Sequence, residues 1–138
     1  MTDLPPFGSV LYAKDFRAVA DFYAKVTGLK VRESNDEYVM LETAGYFLVV
    51  LQIPKRIADT IPIDTPPERR EQTPVKLVFA VESLQKARAK AAAHGGTLNA
   101  QAHEWVFHGS RRCDGIDPEG NVFQLQEGGA RDTSASGE

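Results

Sequence analysis

The sequence predicts an α+β domain that consists of two tandem βαβββ modules, at about residues 7–53 and 75–127. The first observation behind this prediction is an internal repeat, because a strand-like segment followed by a helix-like segment occurs in each half of the chain. The second is that three further strand-like segments follow each helix. The third is an ordinary composition over 138 residues, which favours a single globular domain spanning residues 1–127.

The first module opens with an alternating segment at residues 8–13, which is typical of a strand with one buried face. Asp15 is a suitable N-cap for the helix that follows, and Gly28 is a suitable residue to end it. Between them, apolar residues recur at helical spacing, at Val19, Phe22, Tyr23 and Val26. Three strands are then expected, at about residues 29–33, 38–42 and 46–53.

The second module repeats this order and is longer after its helix, around residues 103–110. A strand at residues 76–81 leads through the N-cap candidate Ser83 into an alanine-rich helix, which is expected to end at Gly95. Three strands are predicted after it, at about residues 97–101, within residues 105–116 and at residues 122–126. The last two are separated by Asp117-Pro118-Glu119-Gly120-Asn121, a sequence that suits a tight turn.

Two segments fall outside the modules. The linker at residues 54–74 holds five prolines and many charges, and loops of this length are often lids, binding arms or partner contacts. The alternative is a solvated crossover between the modules, and the sequence does not choose between the two. From Gly128 onward small and charged residues replace apolar ones, so residues 128–138 are predicted to be a disordered tail.

Charge and composition exclude several classes of partner. The net charge is −3 and there is no basic stripe, so nucleic acid is not an expected partner. The longest apolar run, residues 46–51, is far shorter than the roughly 20 residues that cross a bilayer, so no membrane span is expected. The N-terminus does not resemble a signal peptide, and the single Cys113 suits a reducing compartment. We therefore expect a cytoplasmic protein.

Two motifs within this repeat resemble those of one superfamily. The end of the first helix, from Phe22 and Tyr23 to Gly28, resembles the FY...LG helix end of vicinal oxygen chelate proteins. The turn at residues 117–121 resembles their DPxGN turn before the last strand. Residues 7–127 thus resemble the superfamily of glyoxalases, bleomycin-resistance proteins and extradiol dioxygenases. The resemblance implies two modules whose strands curl into an open mixed sheet around one cavity, the glyoxalase/bleomycin-resistance fold.

The resemblance also implies where metal ligands would lie. In metal-using members, His or Glu residues project into the cavity from the first and last strands of each module, which correspond here to Gly8, Val49, Lys76 and Gln124. None of these is a usual ligand, because glycine and valine offer no side-chain lone pair, lysine is positively charged and glutamine is a weak neutral donor. A register shift of one residue supplies no better set. We therefore expect no bound metal and no other cofactor.

Alternation along the strands predicts which side chains line the cavity. This face is mainly apolar with a few polar groups, the usual chemistry of a pocket for an organic ligand. The candidate ligand-binding residues are Tyr12, Phe47, Val49, Lys76, Val78, Trp105, His108, Gln124 and Gln126. The opposite face is expected to pack on the helices through Leu11, Leu77, Phe79 and Val81. The sequence assigns no catalytic residue.

Lys76 is the candidate of greatest interest. It occupies the position that Gly8 holds in the first module, so one side of the cavity is open and the other carries a cation. It is either a solvated charge at a strand end or a pocket cation that binds an anionic or carbonyl-bearing ligand. In the second case, Lys76→Met should weaken binding of an acidic ligand by roughly tenfold or more. Gln124 and Gln126 are likewise either outward polar residues or hydrogen-bond donors to a ligand.

His103 and His108, with Glu104 and Asp114 nearby in the sequence, combine imidazole and carboxylate groups. Their spacing matches no recurrent metal-binding pattern, so exposed residues of a loop and a strand edge are the alternative. Trp105 lies in the same longer part of the second module, where a cavity of this family is often capped.

Four other polar residues have simpler interpretations. Cys113 has no neighbouring signature of a nucleophile and is expected to pack within a strand. Asp117 is expected to cap its turn. Arg111 and Arg112 could attract an anion, although adjacent residues of a strand point to opposite faces.

Three functional hypotheses follow, and the fold alone does not decide among them. The first is a metal-free protein that encloses a small, partly aromatic organic ligand, as bleomycin-resistance members do. The second is a metal-dependent enzyme of this fold whose ligands come from His103, His108, Glu104 or Asp114. The third is a metal-free enzyme in which Lys76 or Tyr12 acts as acid, base or electrostatic stabiliser. A homodimer is also expected, because open sheets leave strand edges to be covered and members of this family commonly pair.

Overall fold

The computed structural model describes residues 4–128, which form nine β-strands, three α-helices and one short 3-10 helix. The strands are β1 (Phe7–Ala13), β2 (Lys30–Ser34), β3 (Tyr38–Thr43), β4 (Tyr46–Gln52), β5 (Leu77–Val81), β6 (Thr97–Leu98), β7 (Trp105–Phe107), β8 (Ser110–Ile116) and β9 (Val122–Glu127). The α-helices are α1 (Phe16–Thr27), α2 (Lys55–Ala58) and α3 (Leu84–Ala93), and the 3-10 helix is Gln101–His103. Apart from Gly128, the predicted tail lies outside these residues.

The two halves share one strand order. The first sheet runs β1-β4-β3-β2 and the second runs β5-β9-β8-β6, with β7 paired to β8. β1 pairs with β4 and β5 with β9 in parallel, whereas the remaining pairs are antiparallel. The predicted α+β fold of two βαβββ modules with open, mixed sheets is therefore confirmed, although the strands form two hydrogen-bonded sheets instead of one. No helix among residues 4–128 is long and apolar enough to cross a membrane.

Both long helices begin at the predicted N-caps, and α1 ends at Gly28 as predicted, whereas α3 ends at Ala93, before the predicted Gly95. The Asp15 carboxylate accepts a hydrogen bond from the Ala18 amide at the start of α1, and Gly28 ends it in the left-handed conformation at φ 84°. At the start of α3, the Ser83 hydroxyl accepts from the Lys86 amide in the same way. His94 caps the other end of α3, where its Nδ1 lies 2.9 Å from the Lys90 carbonyl oxygen.

One hydrophobic core joins the two modules. Alternate residues of β4, β5 and β9 are buried against the helices, namely Leu48, Val50, Phe79, Val81, Phe123 and Leu125. The rings of Phe22 and Tyr23 on α1 pack edge-on to Phe123, at centroid distances of 5.6 and 5.8 Å. Because α1 belongs to the first module and Phe123 to the second, these contacts hold the modules together.

The two motifs that carry the family resemblance contact each other. The Tyr23 hydroxyl donates a hydrogen bond of 2.9 Å to Asp117 Oδ2, and Asp117 is fully buried. Oδ1 of Asp117 accepts from the amides of Glu119 and Asn121, which fixes the turn as predicted. Burial raises the pKa of Asp117, and the hydrogen bonds from Asn121, Glu119 and Tyr23 oppose this effect.

The linker is held against this turn. The Arg70 amide donates to the Gly120 carbonyl oxygen and Arg70 Nε donates to the Glu119 carbonyl oxygen, both at 2.9 Å. At its other end, Lys14 Nζ donates to the Ile61 carbonyl oxygen at 2.6 Å. The linker also contains the short helix α2, which the sequence analysis did not predict. These hydrogen bonds hold the linker against the rest of the protein at both places.

Two predicted strands of the second module are wrong in detail. The strand expected at residues 97–101 ends at Leu98, after which the chain turns into the 3-10 helix. The strand expected within residues 105–116 is a hairpin, β7 and β8, with His108 and Gly109 at its tip. Both tip residues have positive φ, 50° and 78°, which is the conformation of a two-residue hairpin turn. Lys76 was predicted to lie in the first strand of this module, but in the structure it directly precedes β5.

Candidate functional site

The sheets leave one side uncovered, which we call the open face. It consists of the strand residues that point away from α1 and α3, opposite the buried core positions. In the first module these are Gly8, Val10, Tyr12, Phe47, Val49 and Leu51, and in the second they are Val78, Ala80, Arg112, Asp114, Gln124 and Gln126. Leu11, Leu77, Phe79 and Val81 lie on the core side, as the alternation predicts.

In the second module, a chain of polar side chains crosses the open face. Lys76 Nζ lies 3.2 and 3.0 Å from the two carboxylate oxygens of Asp114. Gln124 Nε2 donates to Asp114 Oδ1 at 3.2 Å, and Gln124 Oε1 accepts from Arg112 Nη1 at 3.0 Å. These four groups lie beside one another because Asp114 pairs with Gln124 across β8 and β9. Lys76 is therefore on this face, but its charge is paired with that of Asp114.

Arg112 sits beside two aromatic residues of the β7–β8 hairpin. Its guanidinium carbon lies 5.0 Å from the centroid of the Phe107 ring, a cation–π distance. Trp105 is directly opposite Arg112 in the β7–β8 ladder and is 38% exposed. Arg112 Nε is buried without a hydrogen-bond partner among the described residues. His108, another candidate, is at the tip of this hairpin, with its ring packed edge-on to Phe107.

The first-module part of the open face is mainly apolar. The ring of Phe47 lies directly over Gly8, in the space that a side chain at position 8 would need. Tyr12 and Val10 are 61% and 54% exposed, whereas Val49 is partly buried. A cavity of about 190 Å³, lined by Val10, Leu77 and Val122 among others, lies where β1 approaches β5. This cavity is smaller than the roughly 300 Å³ usual for a ligand pocket. A second cavity, of about 520 Å³, includes Val78 and Ala80 of the open face in its lining.

The residues at the family's metal positions do not fit a metal ion. Phe47 covers Gly8, Val49 has no donor atom, and the ammonium of Lys76 engages the nearby carboxylate of Asp114. Gln124 is left with one amide oxygen, which already accepts a hydrogen bond. A divalent cation prefers several anionic or imidazole ligands, and these four residues provide no carboxylate and no imidazole.

The histidine and carboxylate residues proposed as alternative ligands are not brought together. Glu104 pairs with Arg88 at 2.6 Å and with Arg111 at 3.7 Å, away from the open face, whereas Asp114 lies on it. His103 is exposed in the 3-10 helix. Within residues 4–128 no group of three or more His, Cys, Asp or Glu side chains is arranged to hold a metal. Cys113 is fully buried in β8, as expected of a packing residue.

The sequence suggested Arg112 only as a possible anion-binding residue and Asp114 only as a possible metal ligand, and it placed neither on the face that lines the cavity. The signal was present, because Cys113 was interpreted as a buried strand residue and its two neighbours must then point to the other face. What the sequence did not reveal is that Gln124, only 8% exposed, connects these two side chains.

Comparisons with known proteins agree with this architecture. The sequence matches the glyoxalase-like domain family over residues 9–126. No curated protein sequence matches the chain.

Three of the similar solved structures are glyoxalase/bleomycin-resistance folds of low sequence identity. A glyoxalase/bleomycin resistance protein/dioxygenase family enzyme from Burkholderia phytofirmans PsJN is 19% identical, with TM-score 0.63 over 87% of this chain and 95% of that chain. Lactoylglutathione lyase from Agrobacterium tumefaciens is 19% identical, with TM-score 0.55 over 88% and 92%. The fosfomycin resistance protein FosX from Listeria monocytogenes is 16% identical, with TM-score 0.60 over 94% and 96%. The strand order of the two modules and the match over residues 9–126 together show that this chain belongs to the glyoxalase-like domain family, within the vicinal oxygen chelate superfamily.

Proposed function

We propose that this protein binds a small organic ligand carrying an anionic or carbonyl group on its open face, without a metal ion, in the cytoplasm. The observation that supports this most directly is the polar chain formed by Lys76, Asp114, Gln124 and Arg112. It places two cations and one carboxylate next to exposed apolar residues such as Val78, which is 46% exposed. Convergent polar groups on an apolar surface are the usual chemistry of an organic-ligand site.

The charges of this polar chain favour an anion over a cation. Two positive groups and one negative group leave an excess positive charge on the second-module part of the open face. A ligand carboxylate, enolate or carbonyl oxygen placed there would gain charge-assisted hydrogen bonds. The similar proteins include a lyase and a resistance protein, so the fold is compatible with either turnover or simple binding.

We also propose that the chain forms a homodimer that covers part of the open face. Large apolar side chains are exposed on this face away from the β7–β8 hairpin, at Val10, Tyr12 and Val78. Exposed apolar side chains on an uncovered sheet are typical of a protein–protein interface. Sedimentation at micromolar concentration should give twice the chain mass, and a clean monomer mass would contradict this proposal.

Native mass spectrometry and elemental analysis of the same preparation test the proposed function. Protein isolated from its own host should carry a small organic molecule and substantially less than one transition metal per chain. As a matched control, the protein should keep its melting temperature when a chelator is added, because no metal contributes to its stability. One zinc, iron, nickel or manganese per chain, together with a melting temperature that a chelator lowers, would refute the metal-free proposal.

A further inference from the structure

We propose that Arg112 is the residue that binds the acidic group of the ligand, and that the ligand is a planar aromatic acid. This inference rests on the proposed function, in which a ligand occupies the open face, and it names the ligand class. It also replaces Lys76, the cation that the sequence favoured, with a different cation on the same face.

The pairing of charges separates Lys76 from Arg112. Both oxygens of Asp114 lie within 3.2 Å of Lys76 Nζ, so these two opposite charges compensate each other. Arg112, in contrast, forms no ion pair with any carboxylate among residues 4–128. An incoming anion would have to compete with Asp114 for Lys76, whereas it would meet no competing carboxylate at Arg112.

The guanidinium of Arg112 is also held in place before any ligand arrives. Gln124 Nε2 is bound to Asp114, which turns Gln124 Oε1 towards Arg112 Nη1. The ring of Phe107 supports the guanidinium at 5.0 Å. Arg112 Nε is left buried without a partner, which is costly for an N–H group. Arg112 Nη2 has no hydrogen-bond partner among the described residues, so a ligand carboxylate could form there the charge-assisted hydrogen bond that a guanidinium favours.

The surroundings of Arg112 favour an aromatic ring on the ligand. Trp105 and Phe107 project from β7 on the same side as Arg112 and are 38% and 52% exposed. A flat ring can stack on or pack edge-on to these side chains while its acidic substituent reaches the guanidinium. Two exposed aromatic residues beside an arginine without a carboxylate partner therefore match a planar aromatic acid.

Trp105 provides the measurement, because it is the single tryptophan of the chain and lies opposite Arg112. Tryptophan fluorescence is titrated with benzoate and with its neutral analogue benzamide. The wild type should bind benzoate more tightly than benzamide. Arg112→Met should weaken benzoate binding by about tenfold or more and leave benzamide binding nearly unchanged. Arg112→Gln is the second variant, should Arg112→Met not fold.

Arg111→Met is the matched control. Arg111 is the neighbouring residue of β8, is exposed and points to the opposite face, where it lies 3.7 Å from Glu104. Its replacement removes the same charge from the protein as Arg112→Met does. Benzoate affinity should therefore stay within about twofold of the wild-type value.

Variants at Lys76 distinguish the two cations. Lys76→Met should weaken benzoate binding only indirectly, because it leaves Asp114 as an uncompensated negative charge on the same face. The double variant Lys76→Met/Asp114→Asn removes both charges and should restore nearly wild-type affinity. If Lys76 itself held the ligand, the double variant would stay as weak as the single one, and this outcome would overturn the inference.

The remaining outcomes separate this inference from the proposed function. Equal benzoate affinities for the wild type and folded Arg112 variants would overturn the role of Arg112 while leaving an open-face ligand site in place. Tighter binding of benzamide than of benzoate would overturn the acidic ligand class and with it the role of Arg112, while leaving an open-face site in place. No binding of either probe at millimolar concentration would overturn both the inference and the proposed site.

Discussion

The hydrogen bond between Tyr23 and Asp117 provides the sharpest test of how the modules are joined. Tyr23→Phe removes one hydroxyl group and keeps the ring, which packs against Phe22, Phe79 and Phe123. The hydroxyl lies 2.9 Å from a fully buried carboxylate oxygen. A hydrogen bond to a charged group contributes about 1.5 to 3 kcal/mol, so we expect the free energy of unfolding to fall by that amount.

Denaturant unfolding measures this loss, and Tyr38→Phe is the matched control. The Tyr38 hydroxyl also donates to a carboxylate, Glu33 Oε2 at 2.7 Å, but that pair lies at the protein surface. Water replaces the lost hydrogen bond there, so Tyr38→Phe should leave the midpoint almost unchanged. Tyr23→Phe should lower the midpoint without changing the m-value, since the area exposed on unfolding stays the same. Equal midpoints for the two variants would refute the argument that burial makes the Tyr23 bond important.

Three further predictions concern other buried groups. Gly120→Ala should lower the free energy of unfolding, measured with denaturant, by at least about 1 to 2 kcal/mol. The reason is that φ is 86° at Gly120 and that the added methyl group would meet the Glu68 carbonyl of the linker. An unchanged stability would contradict the anchoring of the linker. Cys113 should react with a thiol reagent only as fast as the protein unfolds, because the thiol is fully buried and burial raises its pKa; rapid labelling of the folded protein would show that β8 opens. Burial also raises the pKa of Asp117 above its ordinary value of 3.8, so its contribution to stability is present in acid and is lost as the pH rises through the folded-state pKa. A series of unfolding curves from about pH 3 upward should therefore show a smaller loss for Asp117→Asn than for the wild type over that range, and parallel pH profiles would contradict it.

The fold and the site differed in how far sequence patterns predicted them. The helix caps Asp15 and Ser83 and the turn at residues 117–121 are local signals, and the structure confirms each of them. The hairpin with His108 at its tip was missed, because histidine is not a residue that signals a two-residue turn. The path of the linker depends on backbone hydrogen bonds to Gly120, which no local pattern contains.

The sequence alone determined the repeated module, the core face of each strand and the lack of suitable ligands at the family's metal positions. All three follow from residue type and from the two-residue period of a strand, which do not require knowledge of distant neighbours. Tertiary structure decided which charges meet. Lys76 is paired with Asp114 because the strand order places the segment before β5 beside β9 and β8, although the two residues are far apart in the sequence. The same arrangement leaves Arg112 without a carboxylate partner among the described residues, since electrostatic pairing depends on distance in space and not on separation along the chain.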